Sequence, residues 1–248
     1  MLNVSAKKEI NHMQEHTQSN SVDTIESYSS APHSSKRVLI VTAVDAEKEA
    51  VLRGLKNASG FEVIAGGVGP AATAAATARR LMQASYDFVV SAGIAGGFAG
   101  QAEVGSIVIA DPIIAADLGS ETEDGFSSVQ ELGFGTDRVP VDGAAAGNLV
   151  QALEDAGTPV TLGPVLTVST TTGTAATAAS LLRRVPNACA EAMEGFGVAT
   201  AAAAAGVPVL EIRTISNQVG PRDRGAWKIK EALQALETAS SLLPEVLR

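Results

Sequence analysis

From Arg37 onward, short apolar runs alternate with stretches in which apolar residues recur at helical spacing. Val38–Val44 reads as a strand and Ala46–Leu55 as a helix. Phe61–Ala65 reads as a strand leading through Gly66-Gly67-Val68-Gly69 into an Ala-rich helix. Phe88–Ala92 reads as a strand leading into Gly93-Ile94-Ala95-Gly96-Gly97. Ser106–Ala110 and Val165–Val168 read as further strands, with helices near Ala144–Asp155 and Thr174–Arg184. Val207–Ile215 is another apolar strand, and Ala226–Leu243 has the period of a closing helix. Strands alternating with helices predict an α/β fold: a single domain with a central mixed, mostly parallel sheet flanked by helices, with ligands beyond the carboxyl ends of the strands. Residues 1–36 are polar and carry no apolar period, which predicts a disordered tail ahead of a folded domain over 37–248.

Composition narrows the chemistry. A chain of 248 residues that is 46% hydrophobic buries one substantial core, and only 4% aromatic content points to a sheet covered by small-residue helices. The net charge of −9, with no stretch that interleaves Lys or Arg with aromatic rings, argues against a nucleic-acid partner. One cysteine, Cys189, excludes an intrachain disulfide and a CxxC metal site and fits a reducing, cytoplasmic setting. No apolar run reaches the roughly 18 residues that span a bilayer, and the N-terminus lacks a signal-peptide core, so no membrane association is expected. All three histidines, His12, His16 and His33, lie in the predicted tail. A Ser/His/Asp triad, a Cys/His pair and a histidine-ligated metal are therefore poor hypotheses for the folded body.

Two glycine clusters follow strands, where bare backbone amides either approach a ligand or simply make tight turns. Gly67-Val68-Gly69-Pro70-Ala71-Ala72 matches a relaxed G-x-G-x-x-A fingerprint, but Asp87 stands before its strand rather than after it, which argues against a dinucleotide site. Glu47, opening the first helix, either accepts a proton from water or complements the helix dipole. Glu194 borders an apolar Ala run, where a charge needs a partner; paired ribose hydroxyls would serve, as would a helix start. Asn217 ends the strand Leu210–Ser216, either as a turn residue or with its amide turned to a ligand.

In order along the chain, Val38 to Glu47, Gly66 to Gly69, Ser91 to Gly97, Val104-Gly105-Ser106-Ile107-Val108, Met193-Glu194 and Arg213 to Asn217 resemble the nucleoside phosphorylase and nucleosidase superfamily over almost all of 37–248. The resemblance implies that Glu47 activates the attacking water, that Glu194 binds the ribose hydroxyls, that Met193 packs on the sugar and that Gly96 lies against the substrate. It also implies no metal or organic cofactor, a small-molecule nucleoside as substrate, and a homo-oligomer. Adenine-specific members such as methylthioadenosine/S-adenosylhomocysteine nucleosidase carry an aspartate where this chain has Asn217. An amide donor suits the 6-carbonyl of hypoxanthine as a carboxyl suits the amino group of adenine. Arg213 to Asn217, followed by Arg222, Asp223 and Trp227, looks like the futalosine hydrolase family, which implies hydrolysis of futalosine to hypoxanthine and dehypoxanthine futalosine in menaquinone biosynthesis.

Phosphorolysis is the rival within the superfamily, but no Lys or Arg occurs between Lys56 and Arg79 or between Arg80 and Arg138 to hold a phosphate. A non-catalytic nucleotide-binding module is the alternative outside it. Arg222 and Arg224 either meet the benzoate end of futalosine or are solvated loop charges. The acidic stretch 117–124 either covers the site or stays solvated, and Ala199 to Ala205 is a face that another subunit could pack against.

Overall fold

The computed structural model describes residues 36–123 and 125–247. The predicted tail over 1–36 lies outside them except for Lys36. Ten strands and six α-helices follow one another: β1 Val38–Thr42, α1 Asp45–Leu55, β2 Phe61–Ala65, α2 Pro70–Gln83, β3 Phe88–Gly97, β4 Ile107–Ala115, β5 Gly119–Thr122, β6 Gly125–Ser128, β7 Arg138–Val139, α3 Gly143–Asp155, β8 Val160–Thr167, α4 Ala175–Arg184, β9 Ala190–Ala192, α5 Gly195–Ala204, β10 Val209–Gln218 and α6 Ile229–Val246.

The sheet is mixed and mostly parallel, as the alternation predicts. Parallel pairs join β2 to β1, β1 to β3, β3 to β10, β4 to β8 and β8 to β9; β10–β4, β3–β9 and β4–β7 are antiparallel. Because β10 pairs with both β3 and β4, the strands β3, β10, β4, β8 and β9 close into a ring, from which β1 and β2 extend. Both faces of β1 are buried, which is why it reads as an unbroken apolar run. Val38 and Ile40 belong to the core shared with α1, α3 and α6 on one side, while Leu39 and Val41 belong to the core shared with α5 on the other.

Three expectations change. Phe88–Ala92 continues as strand through Gly97, because Gly93 to Gly97 pairs with Arg213 to Gln218 of β10 and Gly96 and Gly97 pair with β9. Those glycines serve close approach rather than a turn: a Cβ on Gly93 would lie 2.6 Å from Glu47 Oε1 and 2.9 Å from Arg213 Nη1. The acidic stretch is a hairpin rather than a loop, since Asp117 accepts from Ser169 N at 2.6 Å and Gly119–Thr122 pairs with Gly125–Ser128, and its residues 117–123 are exposed, as the solvated alternative has it; Asp124 is outside the described residues. Of the Ala199 to Ala205 face, Ala199, Ala201 and Ala202 are spent inside this chain, and Ala203 to Ala205 are exposed. Small residues are required there because Gly197 of α5 is pressed onto the backbone of Pro70 at the start of α2.

Candidate active site

Glu47 sits in the first turn of α1, yet it is only 4% exposed. Its Oε2 accepts from the backbone N–H groups of Ala43 (2.9 Å) and Val44 (3.2 Å), which caps its own helix. Its Oε1 accepts from Ile94 N at 2.9 Å, on a strand 47 residues away. The capping role and a site role thus coexist in one carboxylate. Burial pushes its pKa above the usual carboxylate value, against the opposing pull of these N–H groups and of the Arg213 guanidinium.

Glu194 immediately precedes α5 and is buried. Its Oε1 accepts from Gly69 N (3.3 Å), and its Oε2 accepts from Met193 N (3.2 Å) and from Arg213 Nη1 (3.2 Å). The first glycine cluster therefore does turn, with positive φ at Gly67 and Gly69, and offers an amide to a carboxylate of its own chain. Met193 is half-buried beside it.

Arg213 joins these groups. It is 1% exposed, with Nε donating to Glu211 Oε1 (2.7 Å), Nη1 to Glu194 and Nη2 to Ser91 Oγ (3.1 Å). Reading residues one at a time passes over Arg213 and Glu211. The available signal is a pair of opposite charges at i and i+2 in an otherwise apolar strand, which alternation places on one face.

Asn217 lies at an irregularity of the β10–β3 register: Ile215 is opposite Ala95, Asn217 opposite Gly96, and Ser216 is the extra residue. Such a bulge re-aims the side chains that follow it. Asn217 Nδ2 donates to Gln218 O (3.0 Å) and its Oδ1 lies 2.8 Å from the Ser216 hydroxyl, which fixes the amide and leaves one N–H to spare. Gly96 makes room for it, because a Cβ there would stand 3.3 Å from Nδ2. With Val104, Thr172, Gly220, Arg222 and Trp227, Asn217 lines a cavity of about 170 Å3. Arg222 stacks over Trp227 (5.4 Å to the ring centre) and its N–H donates to Gly173 O (3.2 Å). Arg224, in the 3-10 turn Arg224–Ala226, is exposed and does not line this cavity.

A residue that the sequence reading did not single out, Glu191 of β9, faces Gly96 from the side opposite Asn217. It is buried, and both its oxygens hold Thr172, through the backbone N–H (2.8 Å) and the hydroxyl (2.5 Å). Burial raises its pKa, as does the charge of Asp117, while the bonds from Thr172 oppose the rise. A larger cavity, about 660 Å3 between the β5–β6 hairpin and the end of α4, contains none of the residues predicted for the site. Among the described residues no His, Cys, Asp and Glu group could hold a metal ion, and no helix is long and apolar enough to cross a membrane.

The structure thus brings Glu47, Met193 and Glu194 together around Arg213, and gathers Gly96, Asn217 and Arg222 at the next stretch of β3. The solved structure of 5'-methylthioadenosine/S-adenosylhomocysteine nucleosidase from Neisseria meningitidis, in complex with methylthio-immucillin-A, has the same fold (TM-score 0.73, 19% identity, 86% of this chain and 98% of that one). So has the S-adenosylhomocysteine nucleosidase of Streptococcus pyogenes (TM-score 0.73, 21% identity, 86% and 99%). Closer in sequence, the futalosine hydrolase of Streptomyces coelicolor is 53% identical in an alignment 230 residues long that covers 85% of this chain and 96% of that protein. The futalosine hydrolase of Acidothermus cellulolyticus is 45% identical over 218 residues, 83% and 89% of the two chains. With the phosphorylase superfamily matched over residues 32–248 and these identities across most of its length, the chain belongs to the phosphorylase superfamily and, within it, to the futalosine hydrolase family.

Proposed function

We propose that this chain is a nucleosidase that hydrolyses the N-glycosidic bond of a 6-oxopurine nucleoside, futalosine, releasing hypoxanthine and dehypoxanthine futalosine for menaquinone biosynthesis. The observation that carries it is the spacing along β3. A buried carboxylate is bonded at Ile94, and an amide sits at Gly96, with Glu47 packed against Gly93 and Asn217 against Gly96. Three steps along the strand put these glycines about 10 Å apart, so the carboxylate and the amide are both placed along one strand.

The roles follow from the chemistry of each group. Glu194 accepts from the ribose hydroxyls and holds the sugar, with Met193 against its face and Gly96 leaving room for the ligand. Asn217 gives its spare N–H to the departing base, stabilising charge there as the bond lengthens. Glu47 takes a proton from the incoming water as the sugar becomes oxocarbenium-like; a pKa raised toward the working pH makes it a better base than an ordinary carboxylate. Arg222, stacked on Trp227, closes the cavity beside Asn217 and is available to an anionic substrate group. No step calls on a metal or an organic cofactor.

Water rather than phosphate is the nucleophile in this reading. The guanidinium bonded within the Glu47–Glu194 cluster, that of Arg213, already has its nitrogens on Glu211, Glu194 and Ser91, and the carboxylates around it repel an anion. A cytoplasmic homo-oligomer completes the proposal; Met82 (89% exposed) and Phe134 (82% exposed) are apolar surface that a partner subunit would cover.

Purified protein incubated separately with futalosine, inosine and methylthioadenosine, with and without phosphate, is followed by chromatography of the free base. Hypoxanthine from futalosine without phosphate is expected. Phosphate-dependent release would move the chain to the phosphorylases, adenine from methylthioadenosine would overturn the role of Asn217, and tight binding without turnover would make it a binding module.

A further inference from the structure

The proposed chemistry employs Glu47, Glu194 and Asn217 and leaves one fully buried carboxylate, Glu211, without a task. Glu211 stands two residues before Arg213, on the same face of β10, and has no exposed surface. Its Oε1 accepts from Arg213 Nε, while its Oε2, equally buried, has no partner. A carboxylate satisfied at only one oxygen is an expensive filler, since an apolar side chain would occupy a central strand at no such cost. The chain has nonetheless made space for it: a Cβ on Gly195, next to Glu194, would run into the Glu211 carboxylate.

Arg213 is the shared resource. Its single charge is drawn on by Glu211 and Glu194 directly and by Glu47 through space, where it opposes the effect of burial and of the Glu194 charge. One cation thus serves three carboxylates in a dry compartment, where such interactions are strongest. Resting on the hydrolase reading, we propose that Glu211 is a positioning residue: by holding the Nε edge of Arg213 and offsetting part of its charge, it aims Nη1 at Glu194 and keeps the guanidinium from neutralising Glu47.

Glu211→Gln keeps the acceptor and the volume and removes the charge. Its kcat on futalosine falls about tenfold with KM changed less than about threefold, and the acid limb of kcat/KM, which reports Glu47, moves about one pH unit lower. Gly195→Ala keeps the charge but displaces the carboxylate from Nε, so KM rises as Nη1 leaves Glu194, and the limb moves the same way. The Glu47 carboxyl is also titrated directly by NMR in 13C-glutamate-labelled protein, its resonance assigned by its loss in Glu47→Gln. This readout needs no turnover. A wild-type protein that releases no base from any nucleoside sinks the hydrolase reading, and the NMR titration then decides the role of Glu211 alone. An unmoved Glu47 titration in folded Glu211→Gln overturns the proposal. If that variant does not fold, a wild-type Glu47 titration in Gly195→Ala does the same.

Discussion

At the Gly93 end of the site, Glu47 is held by three backbone N–H groups and Arg213 by three side chains, and Glu47, Arg213, Glu211, Glu194 and Ser91 are all buried. At the Gly96 end, Asn217 is half-exposed, and its neighbours Gly220, Arg222 and Trp227 come from the irregular segment between β10 and α6. The first region has its polar groups fixed before any ligand arrives, as suits stabilisation of charge that develops in a transition state. The second is a loop cavity of about 170 Å3 whose walls can differ between relatives without disturbing the sheet. On the proposed roles, bond breaking and base recognition rest on different kinds of structure, and substitutions in the two regions should fail differently.

The largest effect is expected in the fixed region. Glu47→Gln should lower kcat about a thousandfold, because the base is lost while the side-chain volume is kept; steady-state rates on futalosine check it. Since Glu47 must be deprotonated to act and its pKa is raised, wild-type kcat/KM should fall on the acid side at a pH above the ordinary carboxylate range, and that limb should vanish in the variant.

In the recognition region, Asn217→Asp should exchange preference rather than abolish turnover, shifting the ratio of kcat/KM for inosine over adenosine about a hundredfold toward adenosine. An unchanged ratio would separate Asn217 from base recognition. Losing both Arg222 and Arg224 should cost less, raising KM for futalosine about three- to tenfold with kcat intact, because both arginines are exposed. A KM unchanged in that double variant would return both to the class of solvated charges.

The smallest effect concerns Glu191, which stands behind Thr172. Its folded pKa is raised above its unfolded value, so its contribution to stability is complete below about pH 4 and is lost as pH rises through the folded value. Glu191→Gln carries no such penalty. The difference in melting temperature, variant minus wild type, should therefore grow from pH 4 to pH 8; a constant difference would show that burial does not govern this carboxyl.

Much of the scaffold was legible. Phe61–Ala65 is a strand to the residue, and the helices over 144–155 and 174–184 begin within one residue of their expected starts, because apolar period and strand-then-glycine order are local signals. The short β7 and β9 gave no such signal, since two or three residues carry no period. Glu47, Glu194 and Asn217 were visible as polar groups at the edges of apolar runs. Arg213, Glu211 and Glu191 were not, because each is buried with a partner that only the fold supplies.

The sequence by itself determined the alternation of strands and helices, the absence of histidine from residues 37–248, and an asparagine at the end of β10, since each of these is fixed by residue type and spacing. The tertiary structure decided which glycines turn and which are strand, because the need for a bare Cα at Gly93 arises only when Glu47 and Arg213 converge on it. It also decided that one guanidinium divides its charge among three carboxylates. Electrostatics of that kind depends on distances between residues far apart in the chain, and no local pattern encodes them.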